Sequence, residues 1–143
     1  SGPMDQAIEL RGRIKVFVAG GHAAVRRGLV ALFATCSDLE IVAEGLSGAE
    51  SIRLAERYRP SVVVMDVSLE GLDAIRAIRD LRRRLPDVAV VISTLDPRCI
   101  VSAARSAGAD AVILVRTSSD ILLRTMLSAD RPPRTMRPGH HHV

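Results

Sequence analysis

Hydrophobic and polar positions alternate along this chain in two different rhythms. Residues 14–19 (IKVFVA) form a short apolar run that predicts a strand. Residues 22–35 carry Val25, Leu29, Leu32 and Phe33 at helical spacing, which predicts a helix. The same alternation then repeats. A short strand is expected over 40–44, a helix over 48–58 stopped by Pro60, and an apolar run SVVVMD over 61–66 that ends on a carboxylate. A helix over 72–85 places Ile75, Ile78, Leu81 and Leu85 on one face, and VAVVIS over 88–93 is the fourth strand. Asp96 as N-cap and Pro97 at the first helical position open a helix that ends near Gly108. AVILV over 111–115 is the fifth strand, and Ser118 or Ser119 caps a last helix over 120–128.

Five strand–helix units in strict alternation predict an α/β domain. Its sheet is parallel and five-stranded, doubly wound, and covered by five helices on both faces. In such folds function gathers outside the carboxyl ends of the strands. The residues expected there are Gly20, Gly21, Asp66, Ser93, Thr94 and Arg116.

Composition narrows this picture. At 143 residues and 48% hydrophobic, the chain has the length and apolar content of one self-sufficient domain. Aromatics are only 2%, so the core must be built from Val, Ile, Leu and Ala. The net charge of +4 reads as a solvated basic surface: no groove-reading motif and few stacking aromatics accompany it, so direct nucleic-acid contact by this domain is not expected. Cys36 and Cys99 make neither a CxxC nor a zinc pattern, which fits a reducing cytoplasm. No run is long enough to span a membrane, and no signal peptide is evident. Ser1-Gly2-Pro3 reads as a cloning scar within an unpatterned segment, 1–12. The folded domain is expected over 13–128, and 129–143, rich in Pro and Arg, reads as a flexible linker or tail.

Three segments together carry a family resemblance. VFVAGGHAAVRRGL resembles the opening of a NarL/LuxR-type response-regulator receiver, where a strand is followed by two acidic residues, a histidine and a helix. SVVVMDVSLEGLDAI resembles the phosphorylation segment, and VVISTLDPRCIVSAARSAGADAVILV the switch strand, fourth helix and Ala-Gly-Ala turn. The resemblance covers 14–127 and implies the flavodoxin-like receiver fold. It implies that Asp66 matches the phospho-acceptor, that Ser93, with Thr94 beside it, matches the switch hydroxyl, and that Gly20 and Gly21 occupy the acidic-pair positions. The lysine position falls on Val115 in an ungapped count, or on Arg116 with a one-residue insertion; the aromatic switch position is Val112, and Glu70 replaces a proline.

These departures have chemical consequences. A carboxylate attacks a phosphoryl donor only when a divalent cation and a base screen their mutual repulsion. Glycines supply no side-chain oxygen for magnesium, and valine supplies no charge. Magnesium binding is therefore expected to be lost, with no other cofactor, no metal and no catalytic residue. The glycines also read as a tight turn, and Asp66 as a turn-capping acid. A phosphate-cradling loop matches neither known glycine spacing. One leftover acid and one leftover base suggest an Asp66–Arg116 pair.

Other residues have plain readings. His22 is expected to be structural, and Arg82, Arg83 and Arg84 to form the solvated end of the third helix. His140, His141 and His142 could chelate metal weakly. The leading function is a non-enzymatic, dimerising regulatory module of a two-component-type transcriptional regulator, independent of magnesium-assisted phosphorylation. A C-terminal helix-turn-helix domain is expected in the full-length protein. Its candidate dimer face is Val25, Leu29, Leu32, Ile121, Leu122 and Met126, with Leu123 in the same segment. The alternatives are a conventional receiver phosphorylated on Asp66 by a histidine kinase, and a small-molecule-sensing pseudo-receiver.

Overall fold

Five strands and five helices follow one another in the computed structural model, which describes residues 12–20, 22–45, 49–67, 72–94, 101–114 and 118–129. The strands are β1 (Ile14–Ala19), β2 (Leu39–Gly45), β3 (Val62–Val67), β4 (Ala89–Thr94) and β5 (Ala111–Leu114). The helices are α1 (Ala23–Ala34), α2 (Ala49–Tyr58), α3 (Leu72–Arg84), α4 (Val101–Ala107) and α5 (Ser119–Ala129). All strand pairs are parallel, in the order β2-β1-β3-β4-β5. The doubly wound sheet expected from the alternation is therefore present. The order reverses between β1 and β3, which makes the crevice above their carboxyl ends the topological switch point.

Alternate side chains of each strand feed two cores. Phe17, Val63, Met65, Val90 and Ile92 pack with Ile52 of α2, Ile78 and Leu81 of α3 and Ala104 of α4. Val16, Val18, Val62, Val64, Val91 and Ile113 pack with Leu29 and Phe33 of α1 and Leu122 and Met126 of α5. Strands buried on both faces have to be apolar throughout, and β3 shows this: all six of its residues are buried.

Chain reversals are set by specific bonds. α4 ends in a Schellman motif: Gly108 N donates to Arg105 O (3.1 Å) and Ala109 N to Ala104 O (2.9 Å), with Gly108 at φ +117°. At the end of α2, Arg59 takes the left-handed conformation (φ 48°) and its N–H donates to Ala55 O, because Pro60 excludes the helical conformation before it. Ser118 O accepts the first bond of α5, from Leu122 N, which makes Ser118 its backbone N-cap.

Arg82 departs from expectation. It is not solvated: its guanidinium donates to Gly108 O (2.9 Å), Pro86 O (3.2 Å), Val88 O and Asp110 Oδ2 (2.6 Å), and its side chain is 13% exposed. Asp110 Oδ2 also accepts from Val90 N at 2.8 Å. Arg82 therefore ties α3 to the ends of β4 and β5. Arg83 and Arg84 are exposed as expected; Arg83 pairs with Asp80 and Arg84 with Glu56.

Candidate phospho-acceptor site

Asp66 reaches its place through the pleat of β3. Val62 and Val64 point into the core beneath α1 and α5, and Asp66 follows on the same face. On the neighbouring strand Ala89 and Val91 lead in the same way to Ser93, which is the register partner of Asp66; Val67 pairs with Thr94. The sequence-predicted acceptor and switch hydroxyl are thus side by side at the carboxyl end of the sheet.

Gly20 closes the other side of Asp66. It follows β1, and its N–H donates to Gly45 O at 3.0 Å. A Cβ built on Gly20 would lie 2.6 Å from Asp66 Cβ and 3.3 Å from Oδ2. A larger residue at position 20 would require the Asp66 side chain to shift. The carbonyl of Gly20 accepts from Arg26 Nη1, and Arg26 in turn pairs with Glu44 at 3.1 Å. This latch from α1 to the end of β2 carried no signal that a reading of the sequence could use, because it joins residues 6 and 18 positions apart.

Two electrostatic facts define the pocket. Burial raises the Asp66 carboxyl above its ordinary 3.8, and the nearby His22 pulls the other way. His22 is the N-cap of α1: its Nδ1 accepts from Val25 N at 3.4 Å, so the structural role expected of it is present alongside this effect on Asp66. Ser93 Oγ is fully buried and has no hydrogen-bond partner. Thr94 is buried beside it.

Of the acceptor and acidic-pair positions, Asp66 offers magnesium a side-chain oxygen and the two glycines offer none. Among the described residues no group of three His, Cys, Asp or Glu side chains could hold a metal. Asp66 is the sole carboxylate of the acceptor and acidic-pair positions, since both acidic-pair positions are glycine in the sequence. Magnesium takes an octahedral set of hard oxygens and is reluctant to shed water for a single carboxylate.

Gly21, Val115, Arg116 and Glu70 lie outside the described residues, as do Asp96, Pro97, Cys99 and the terminal histidines. The expected Asp66–Arg116 pair therefore lies outside them too. Val112 is half-buried against the α2–α3–α4 core. The candidate dimer face divides. Leu29, Leu122 and Met126 are buried in the α1–α5 core, Val25, Leu32 and Leu123 pack partly against it, and Ile121 is 50% exposed. The exposed surface among these residues is Ile121 with the outer edges of Val25, Leu32 and Leu123.

Comparison with known proteins agrees with this fold. The family model of the response regulator receiver domain matches residues 16–126. The chain is 35% identical over 114 residues to the uncharacterized transcriptional regulatory protein YhcZ of Bacillus subtilis, covering 78% of this chain and 53% of that protein. It is 31% identical over 127 residues to the response regulator protein VraR of Staphylococcus aureus, covering 87% and 60%. Among solved structures, the receiver domain of the response regulator NarL from Mycobacterium tuberculosis superposes with a TM-score of 0.74 at 23% identity, over 82% of this chain and 96% of that one. The chain belongs to the response regulator receiver domain family, whose members are regulatory modules of two-component systems. It spans between half and two thirds of the length of the curated relatives it matches.

Proposed function

We propose that this domain is an atypical receiver: the regulatory, dimerising module of a LuxR-type transcriptional regulator whose control does not run through magnesium-assisted phosphorylation of Asp66. The observation that carries this reading is the contact between Gly20 and Asp66. A receiver that uses a metal needs a carboxylate at the position Gly20 holds, and here that position has no side chain; a Cβ added to it would meet Asp66 Cβ at 2.6 Å.

On this reading the domain performs no catalysis and binds no cofactor. Its output is passed through a second copy that packs on α5 and α1 around the exposed Ile121, and through a DNA-binding domain in the full-length protein, as the name of the Bacillus relative suggests. The described residues contain no helix long and apolar enough to cross a membrane, which fits a cytoplasmic regulator. One observation favours a second reading. Asp66 and Ser93 remain register partners, the arrangement a conventional receiver uses when a histidine kinase phosphorylates the aspartate.

Titration with magnesium and beryllofluoride, followed by two-dimensional amide NMR, separates the two. Beryllofluoride stands in for the phosphoryl group on Asp66. The atypical reading expects no saturable shifts at residues 20, 66 and 93. Shifts there that require both reagents would establish the conventional one.

A further inference from the structure

The outer side of α3 carries a ridge of arginines. Arg76, Arg79 and Arg83 are exposed and spaced by three and four residues, so they stand on one side of the helix over about 10 Å of its axis. Beside them runs a groove of about 500 Å³ lined by Arg76, Arg79, Asp80, Arg82, Arg83 and Ala107, the last from α4. Four of these six residues are arginines and one is an acid. The acid is already taken, because Asp80 pairs with Arg83. Arg82 is satisfied by Asp110 and backbone carbonyls. Arg76 and Arg79 have no acidic partner among the described residues. Among the described residues the groove thus has two guanidinium groups without an acidic partner on its rim and an alanine in its wall.

We propose that this groove is a docking site for an extended acidic segment of a partner protein. Side chains on one face of an extended strand recur about every 7 Å, close to the spacing of neighbouring helical residues three apart. Alternate carboxylates of such a segment meet Arg76 and Arg79, and guanidinium takes a carboxylate in two parallel hydrogen bonds. The small residues between them face Ala107. A nucleic acid fits less well. A duplex offers phosphates but nothing apolar for the alanine wall and is too wide to enter a groove between two helices. Single strands need stacking aromatics. Phe17 and Phe33 are fully buried, and Tyr58, the one remaining aromatic, has the Arg57 guanidinium 5.4 Å from its ring centre. The site lies on the helical flank, apart from the strand ends that hold Asp66, so it stands or falls independently of the chemistry at Asp66.

The test uses a fluorescein-labelled Glu-Ala-Glu-Ala-Glu-Ala peptide, measured by fluorescence anisotropy and amide NMR at low ionic strength, with a labelled random-sequence DNA duplex in parallel. The expected result is saturable peptide binding that weakens with salt, amide shifts confined to 76–83 and 104–107, and a loss of about ten-fold or more in the double variant Arg76→Glu with Arg79→Glu. Both residues are exposed, so the unfolding midpoint should not move; if that variant fails to fold, the neutral pair Arg76→Gln with Arg79→Gln takes its place. No saturation, shifts elsewhere, or binding indifferent to the arginines overturns the proposal. A duplex that binds as tightly as the peptide through the same arginines overturns it in favour of nucleic acid.

Discussion

Gly20 and Asp66, 46 positions apart in the chain, are locked together: the carboxylate that a receiver presents to a phosphoryl donor here packs against the bare backbone where a metal-binding acid would stand. A side chain restored at position 20 would have to displace Asp66 from where it now lies.

Gly20→Ala should destabilise the fold by about 1–3 kcal/mol, because the new Cβ falls 2.6 Å from Asp66 Cβ and forces a buried side chain and its strand to move. Gly20→Asp should cost at least as much and, as a single change, should leave the chain without measurable magnesium affinity. Urea denaturation and magnesium calorimetry check the two parts. An alanine variant as stable as the parent would show that Asp66 moves freely.

The pH dependence of stability should carry the sign of a buried acid. The Asp66 carboxyl is raised above 3.8 in the folded state by desolvation, so folding favours its protonated form. The penalty for holding it ionised is fully present above the folded-state pKa and disappears as pH falls through that value towards 3.8. Asp66→Asn should therefore be more stable than the parent at neutral pH, with the advantage shrinking through that window. His22→Ala should push the carboxyl further up, since it removes an attraction for the charged form. Carboxyl carbon NMR titration of Asp66 measures both effects directly, and a carboxyl that titrates at or below 3.8 would contradict them.

Ser93→Ala should stabilise the domain by about 0.5–2 kcal/mol. The hydroxyl is fully buried without a partner, so the parent carries the cost of a desolvated polar group and the variant does not. Destabilisation instead would mean that the hydroxyl has a partner in solution. Thermal unfolding at fixed pH decides this.

Arg82→Ala should be the most damaging arginine substitution on α3, at about 3–5 kcal/mol, because it leaves the Asp110 carboxylate, 5% exposed, without its countercharge. Arg82→Lys should recover only part of this, since an ammonium cannot reproduce the fork that reaches Gly108 O and Asp110 together. Arg83→Ala, with a side chain 74% exposed, should change stability by no more than about 0.5 kcal/mol. Equal effects at 82 and 83 would refute the difference in burial. Gly108→Ala probes the same clamp from its other side: φ is +117° and the new Cβ would lie 2.6 Å from Arg82 Cγ.

Most of the architecture was legible in the residues. The apolar runs of β1, β3 and β4 and the helical spacing of Leu29 with Phe33 or Ile78 with Leu81 are local patterns, and apart from the helix expected from Pro97, whose described residues begin at Val101, each predicted element lies within two residues of its observed bounds. That glycine at 20 and 21 offers no side-chain oxygen is likewise readable from the residues alone. Contacts between distant residues left no such trace. Three consecutive arginines at the end of a helix look alike in sequence, yet Arg82 turns inward to Asp110, 28 positions on, while Arg83 and Arg84 face water. Leu122 and Ile121 are adjacent aliphatic residues, but successive side chains of a helix point in different directions, and the packing of α5 on the sheet buries one and exposes the other. Periodicity reports which face of an element is apolar. Whether a given side chain on that face meets a core, a buried acid or open solvent depends on the packing of elements against one another, and that is a property of the folded chain.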